Sequence, residues 1–486
     1  MEDENVTNFV SNAQSWDWLQ KEIPLFECPD REAEEMYYFR WWFFRKHLVK
    51  TPGGFVITEF LPPVKHAGIY NTISCAAGFH IAEGRWLHDQ SYLDDYLRFW
   101  LRGNGGKPQP HFHKFSSWFA AAAYERHLVN GDKKFLTGLL DDLVADYHVW
   151  ENERQTTNGL FWQFDVRDGM EESISGSRTE KNIRPTINSY MFANARAIAD
   201  TARLANKLKI ASKFDEKADA LKQGTQTELW DDSARFFKVR LQTGQLSSAR
   251  EELGFVPWMF GLPDSGKGYE AAWSELADPF GFSAPFGITT AERRHPQFRS
   301  HGVGTCEWDG AVWPFATSQT LVALANFMRA GQISVAADES QRGLMSATTV
   351  SSRDYFSAFL TYVHSQHADG KPYIGEYLDE VTGDWINGKG GRSRYYNHST
   401  FADLLITGVI GLRPRADDVV EVQPLLPDGT WDWFCLDGVK YHDHMLTVIW
   451  DKDGTRYHRG KGLIVLADGK QIARADKLTK LEGRLP

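Results

Sequence analysis

The stretch 114-KFSSWFAAAAYERHLVNGDKKFLTGLLDDLVADYHVWEN-152 decides the fold class. It reads as two long helical runs, 114–130 and 133–152, joined by Asn130-Gly131-Asp132. Glycine stops one helix because it tolerates left-handed backbone, and aspartate starts the next by capping its free N–H groups. The same period recurs near 72–83, 87–102, 187–208, 212–229, 267–276, 310–330, 333–347, 353–368 and 398–411. Residues 31–49 (REAEEMYYFRWWFFRKHLV) add a run that opens after Asp30, with acids in its first turn and basic residues in its last. Long helices in pairs without intervening strands predict a helical hairpin array, not a βαβ fold. No strict solenoid period of about 34 or 40 residues is present.

The character changes at Gly411-Leu412-Arg413-Pro414. The runs VVEVQPLL, DWFCLDGVKYHDHMLTVIWDKDG and GLIVLADGKQIA are short, β-branched and aromatic, and their Asp-Gly dipeptides read as hairpin turns. The expected organisation is a helical domain over 1–412 and a small all-β unit over 413–486 packed on it.

Composition bounds the function. Of 486 residues, 42% are hydrophobic and 24% charged, and 41 Gly and 19 Pro follow no period, which excludes disordered and collagen-like chains. The net charge of −10 argues against nucleic acid as the main partner. No stretch approaches 18 apolar residues, so no membrane span is expected. The start, MEDENVTNFVSN, lacks a signal-peptide pattern, so a cytoplasmic protein is expected; a secreted chain stripped of its signal would read the same. Cys28, Cys75, Cys306 and Cys435 lie far apart, and His111-Phe112-His113 has no matching ligand, so neither a metal nor a cofactor is expected.

Three polar, aromatic segments at helix ends carry the chemistry. The first, 159-GLFWQFDVRDGMEESISGSRTEKNIRPTINSY-190, gathers Asp168, Glu171 and Glu172 behind Trp162 and Phe164. A carboxyl beside tryptophan is the environment that raises a pKa and makes a general acid. The second, 301-HGVGTCEWDGAVWPFATSQTL-321, brackets Trp308 with Glu307 and Asp309, and Trp313 follows. Ring faces beside carboxylates suit a sugar, whose C–H face stacks while its hydroxyls donate. The third, 371-KPYIGEYLDEVTGDWINGKGGRSRYYNHST-400, carries Glu376, then Trp385, Arg392, Tyr395, Tyr396, Asn397 and His398. A carboxylate there could supply the second acid of a glycosidase pair. In the aromatic run from Tyr37 to Phe44, Arg40 and Trp41 could reach a pocket. Each segment also has a plain structural reading: an exposed acidic loop, capping by Asp309, buried tyrosines.

These segments resemble the (α/α)6-barrel glycosidases, especially glycoside hydrolase family 63 and its mannosylglycerate-hydrolase and trehalase-like relatives. Asp168 to Ser173 (DGMEES) stands in place of the family's general-acid motif and sets Glu171 at the acid position; Glu replaces the family's Asp, and Asp168 and Glu172 stand in reserve. EWDGAVWP is similar to a sugar-pocket segment of the relatives, with Asp309 replacing a basic residue. Glu376-Tyr377…Thr382-Gly383 looks like the motif that holds the family's base. The resemblance implies an (α/α)6 toroid of six helical hairpins, and an inverting exo-acting α-glycosidase acting on an oligosaccharide or small glycoside. Glu171 would then be the acid and Glu376 the base. Trp162, Trp308 and Trp385 would be stacking walls, and Arg392, Asn397 and His398 would bind hydroxyls or a substrate carboxylate. Two other classes stay open: a lyase or epimerase on the same barrel driven by Tyr395 to His398, and a carbohydrate-binding protein without turnover.

Overall fold

The computed structural model describes residues 8–302, 306–332, 350–388 and 390–486, and the helical run expected at 333–347 lies outside them. The chain is helix-rich and ends in β-sheet. Helix α1, Arg31–Lys46, starts where the sequence predicts, with the Asp30 carboxylate accepting from the Glu32 and Ala33 N–H groups at 3.1 Å each. There follow α2 (Ala77–Gly84), α3 (Ser91–Arg102), α4 (Phe119–Asn130), α5 (Leu140–Arg154), α6 (Pro185–Leu204), α7 (Leu208–Leu229), α8 (Pro314–Phe327) and α9 (Ser352–Ser365). The turn after α4 is as read: Gly131 is left-handed, and Asp132 caps a short helix by accepting from the Phe135 N–H. The run expected at 267–276 is a 3-10 segment, Tyr269–Glu275, and that at 398–411 is one α turn, Ala402–Leu404 (α10), continued as a π turn, Leu405–Ile410.

From α2 to α9, more and less buried helices alternate. In α6, 16 of 20 residues are buried, and in α8, 12 of 14. In α7 only Ala211, Phe214, Ala218, Leu221, Thr225 and Leu229 are buried, a stripe at helical spacing. A helix apolar all round sits inside; one with a single stripe sits outside. Hence α6 is an inner helix and α7 packs over it. The inner helices are plugged by aromatic rings: Phe79 of α2 meets Trp118 and Phe315 of α8 edge to face, and Trp118 lies tilted against Tyr190 of α6, with centroids 4.8–5.0 Å apart.

Strands β1 (Leu25–Glu27), β2 (Leu412–Arg413), β3 (Val419–Val422), β4 (Trp433–Tyr441), β5 (His444–Asp451), β6 (Gly462–Ala467), β7 (Lys470–Ala475) and β8 (Leu481–Arg484) form two antiparallel sheets, β1-β4-β5-β6-β7 and β2-β3-β8. An N-terminal strand therefore completes the edge of the C-terminal sheet, with Phe26 opposite Leu436. One turn assignment needs correction. Asp437-Gly438 is a bulge inside β4, not a hairpin turn. The turn is His442-Asp443, both at positive φ, the backbone a two-residue turn needs to match strand twist. Asp468-Gly469 does form the expected turn between β6 and β7.

Candidate active site

Glu171, Glu172, Glu376 and Arg392 converge beyond the N-terminal ends of the inner helices. Chain order dictates this placement. Cys75 precedes α2, Ser116–Trp118 precede α4, the 168–184 loop precedes α6, Glu307–Trp313 precede α8, and Tyr396–His398 precede α10. Each helix contributes about half a positive charge at that end, which favours carboxylates gathered there. Glu172, Arg178, Cys306, Asn387, Arg392 and Ser393 line a cavity of 470 Å³.

The acid loop is built from its own acids. Residues Asp165–Asp168 form one helical turn that ends at left-handed Gly169. The Asp168 carboxylate takes Nε of Arg184 at 2.8 Å and the Thr186 hydroxyl, both at the start of α6. Its side chain is wholly enclosed, so the expectation that Asp168 faces substrate is corrected: it anchors the loop that presents Glu171. Glu172, at φ +66°, reaches Arg178 at 2.9 Å and lines the cavity. Burial pushes the Glu171 carboxyl up to about 7; its own N–H opposes the shift, and the charges of Glu376 and Asp165 add to it.

Glu376 is held on both oxygens. Arg392 lies 3.0 Å from Oε1, while Asn387 Nδ2 donates to Oε2 at 2.5 Å and Ser393 Oγ at 3.2 Å. Burial raises its pKa nonetheless, against all three partners. His398 donates Nε2–H to the Glu376 carbonyl at 3.0 Å, and burial pulls the imidazole down to about 3. The part of its expected role that needs a charge is therefore corrected: the neutral His398 ring supports the backbone of Glu376 and offers no charge to a substrate carboxylate.

A third carboxyl was invisible in the sequence. Glu59 is 1% exposed, accepts from the Tyr396 hydroxyl, and has the Cys75 thiol 4.0 Å away. Burial lifts it well above the carboxylate range, and Glu376 and Glu171 add to the shift. It stands alone after an apolar run, GFVITEF, and no motif marks it. Cys306 was also missed: burial first, then Glu171 and Glu376, raises its thiol to about 12. So were His66 and Lys114 beside Arg392: burial, then Arg392 and Lys114, lowers His66, and burial, then Arg167, lowers the partly exposed Lys114.

Most of the aromatic wall is corrected. Trp308 is 3% exposed and stacks on Trp313 at 4.3 Å, which stacks on Tyr377 at 4.6 Å. It is the buried end of a three-ring pile, not a platform. Trp162 lies beneath the Arg154 guanidinium at 4.6 Å and the Lys181 ammonium at 4.9 Å. Trp385 packs on Gly375, where a Cβ would stand 2.7 Å from the ring, and donates to the His367 carbonyl at 2.9 Å. Glu307 pairs with Arg299 at 2.7 Å, and Asp309 accepts from the N–H and Nδ1 of His301 at 2.9 Å each, so both carboxylates brace their own loop. Asn397 is buried, donating to the Thr58 carbonyl and accepting from His80. Tyr396 is buried against Phe60. Arg40 ties Tyr362 of α9 and Gln366 just after it to Ser399, and Trp41 is fully buried, so neither reaches the cavity. The sequence could not separate these cases, because a ring or carboxylate beside a motif looks the same whether it faces cavity or core.

No group of three or more His, Cys, Asp or Glu placed to hold a metal occurs among the described residues. No helix among them is long and apolar enough to cross a membrane.

By sequence, the helix-rich part and the C-terminal β part of this chain both match domains of the glycoside hydrolases. Within them, the chain belongs to the mannosylglycerate hydrolase MGH1-like glycoside hydrolase family, whose domain model matches residues 69–399. Residues 412–473 match the C-terminal domain of glycosyl hydrolase family 65. Among solved structures, a chain named sialidase is 51% identical with a TM-score of 0.94 and covers 99% of this chain; this chain spans 43% of it. An α-L-rhamnosidase from Dictyoglumus thermophilum, 12% identical, superposes at 0.57 over 93% of this chain and 45% of its own. The family 63 mannosylglycerate hydrolase from Thermus thermophilus, bound to Tris and D-glycerate, is 14% identical at 0.53, over 77% of this chain and 98% of its own. The last two likenesses show the fold alone.

Proposed function

We propose that this glycosidase is an inverting, exo-acting α-glycosidase. Its helical residues, within 1–412, form a six-hairpin (α/α)6 toroid, and 413–486 form the β domain. Glu171 protonates the leaving oxygen. Glu376 activates a water that attacks from the opposite side of the sugar. The observation that carries this reading is the pair itself: two glutamates from distant segments, Glu376 buried and Glu171 half-buried, with the charge of Glu376 felt at Glu171 and with opposite surroundings. Glu171, at about 7, keeps a proton to give near neutrality. Glu376 faces Arg392, Asn387 and Ser393, all of which favour its charged form. That is the division between an acid and a base.

The cationic side of the site supports an acidic substrate. Arg178 and Arg392 line the cavity, and Lys114 and His66 lie within the field of Arg392 and Arg167. The 51% identical chain is named a sialidase, a name that points to a carboxylate on the glycoside. The test is a panel of neutral and acid-bearing disaccharides and aryl glycosides. Cleavage of acid-bearing members above neutral ones supports the reading, and equal cleavage of both removes the acidic substrate from it.

The pH profile is a second expectation. A donor near 7 sets the alkaline limb of kcat/KM near pH 7, a property of the coupled pair. Arg392 lowers both Glu171 and Glu376. Its loss in R392Q raises both, so the base stays protonated to higher pH and the acid keeps its proton to higher pH. Both limbs therefore move to higher pH together, which a pH–rate profile of the variant reads directly.

A further inference from the structure

A second cavity, of 540 Å³, opens at the other ends of the inner helices. Ala82 and Arg85 come from the end of α2, Leu128 from the end of α4, Asp200 from the last turns of α6 and Asn326 from the end of α8. The catalytic pair lies at the opposite helix ends, about 20 Å away along a 14-residue helix. Phe79, Trp118 and Phe260 form the floor, the same aromatic plug that closes the space between the helices.

The charges in this wall do not cancel by pairing. Its carboxylates are all taken: Asp403 and Glu125 by Arg85 at 2.7 and 3.2 Å, Glu421 by Arg415 at 2.9 Å, and Asp200 by Arg203 at 2.5 Å. Three guanidiniums in the wall, Arg196, Arg329 and Arg413, have no ion-pair partner among the described residues. Among the described residues Arg329 donates to the Gly408 and Gln423 carbonyls, at 2.8 and 3.1 Å, and its buried Nε meets no acceptor. Arg413 donates to the Asn326 amide oxygen at 3.2 Å. Arg196 is exposed and rests against the Phe192 ring. Burial, and then Arg413, draw Arg329 down to about 9, against the opposing charge of Glu421.

We propose that this cavity binds a small organic anion, a carboxylate or phosphate monoester with an apolar body. The charged end sits on Arg329 and Arg413, whose planar forks match two oxygens at once, with Arg196 able to swing in from the rim. The apolar body lies on the Phe79–Trp118 floor. Cations at helix C-termini also offset the helix dipoles. That role alone predicts that removing them costs stability and that no ligand binds.

The test is calorimetric titration of the full chain with phenyl phosphate and with benzoate, and with benzyl alcohol as the uncharged control. The expected result is one-to-one binding of at least one anion, none of benzyl alcohol, and affinity unchanged in R392Q, which removes the cation of the catalytic cavity. R413Q and R196Q are expected to weaken binding at least tenfold while leaving glycoside hydrolysis unchanged. R196Q alters an exposed side chain, so it keeps the test open if R413Q fails to fold. Absence of binding by both anions overturns the proposal. So does binding that is lost in R392Q and kept in R196Q, which would assign the anion to the catalytic cavity.

Discussion

Glu376→Gln is expected to lower kcat by about 10²–10⁴-fold with little change in KM, the span that a positioned general base contributes. Glutamine keeps the size of the side chain but cannot take a proton from water. The amide retains an oxygen for Asn387 Nδ2 and Ser393 Oγ, which meet one carboxylate oxygen at 2.5 and 3.2 Å. Arg392 loses its 3.0 Å partner but is 39% exposed, so water takes over. Stability should therefore hold while turnover falls, and steady-state kinetics beside a thermal melt separate the two. Wild-type rates in this variant would remove Glu376 from the chemistry.

Asp168→Ala is expected to be the most destabilising single change in the acid loop, costing about 3–5 kcal/mol, because it removes the carboxylate bonded directly to a buried guanidinium. Neither partner of the Asp168–Arg184 pair has any side-chain exposure. The same change frees the loop that carries Glu171, so activity should fall further than the stability loss alone explains. Replacing both partners with apolar side chains, as in D168L/R184M, should restore much of the stability, since a buried pair is often no better than a packed apolar one. Denaturant melts of the single and double variants give the comparison. Equal stability of D168A and the parent would show that the pair is not what holds the loop.

What the sequence made legible was local or bound to a motif. The Asp30 cap and the Asn130-Gly131-Asp132 turn follow from backbone preferences within a few residues. Glu171 and Glu376 stood out because acids in aromatic, glycine-rich segments are conspicuous. What escaped depends on which way a side chain faces after the inner helices close. Trp308, Trp162 and Trp385 had the composition of a sugar platform, and tertiary packing gave each ring another neighbour. Glu59 escaped for the converse reason. It comes from a segment with no polar motif and reaches the site after the hairpin Leu48–Thr51 to Gly54–Ile57. Asp437-Gly438 looked like a turn because that dipeptide favours positive φ, and a bulge uses the same freedom.

The stereochemistry of hydrolysis tests the central assignment most directly. Proton NMR of the first seconds of turnover, on the best substrate of the panel, identifies the anomer released before mutarotation. An acid at Glu171 and a water-activating base at Glu376 predict a product of inverted anomeric configuration. Retention would contradict the account, since it requires one carboxylate to act as a nucleophile on the sugar.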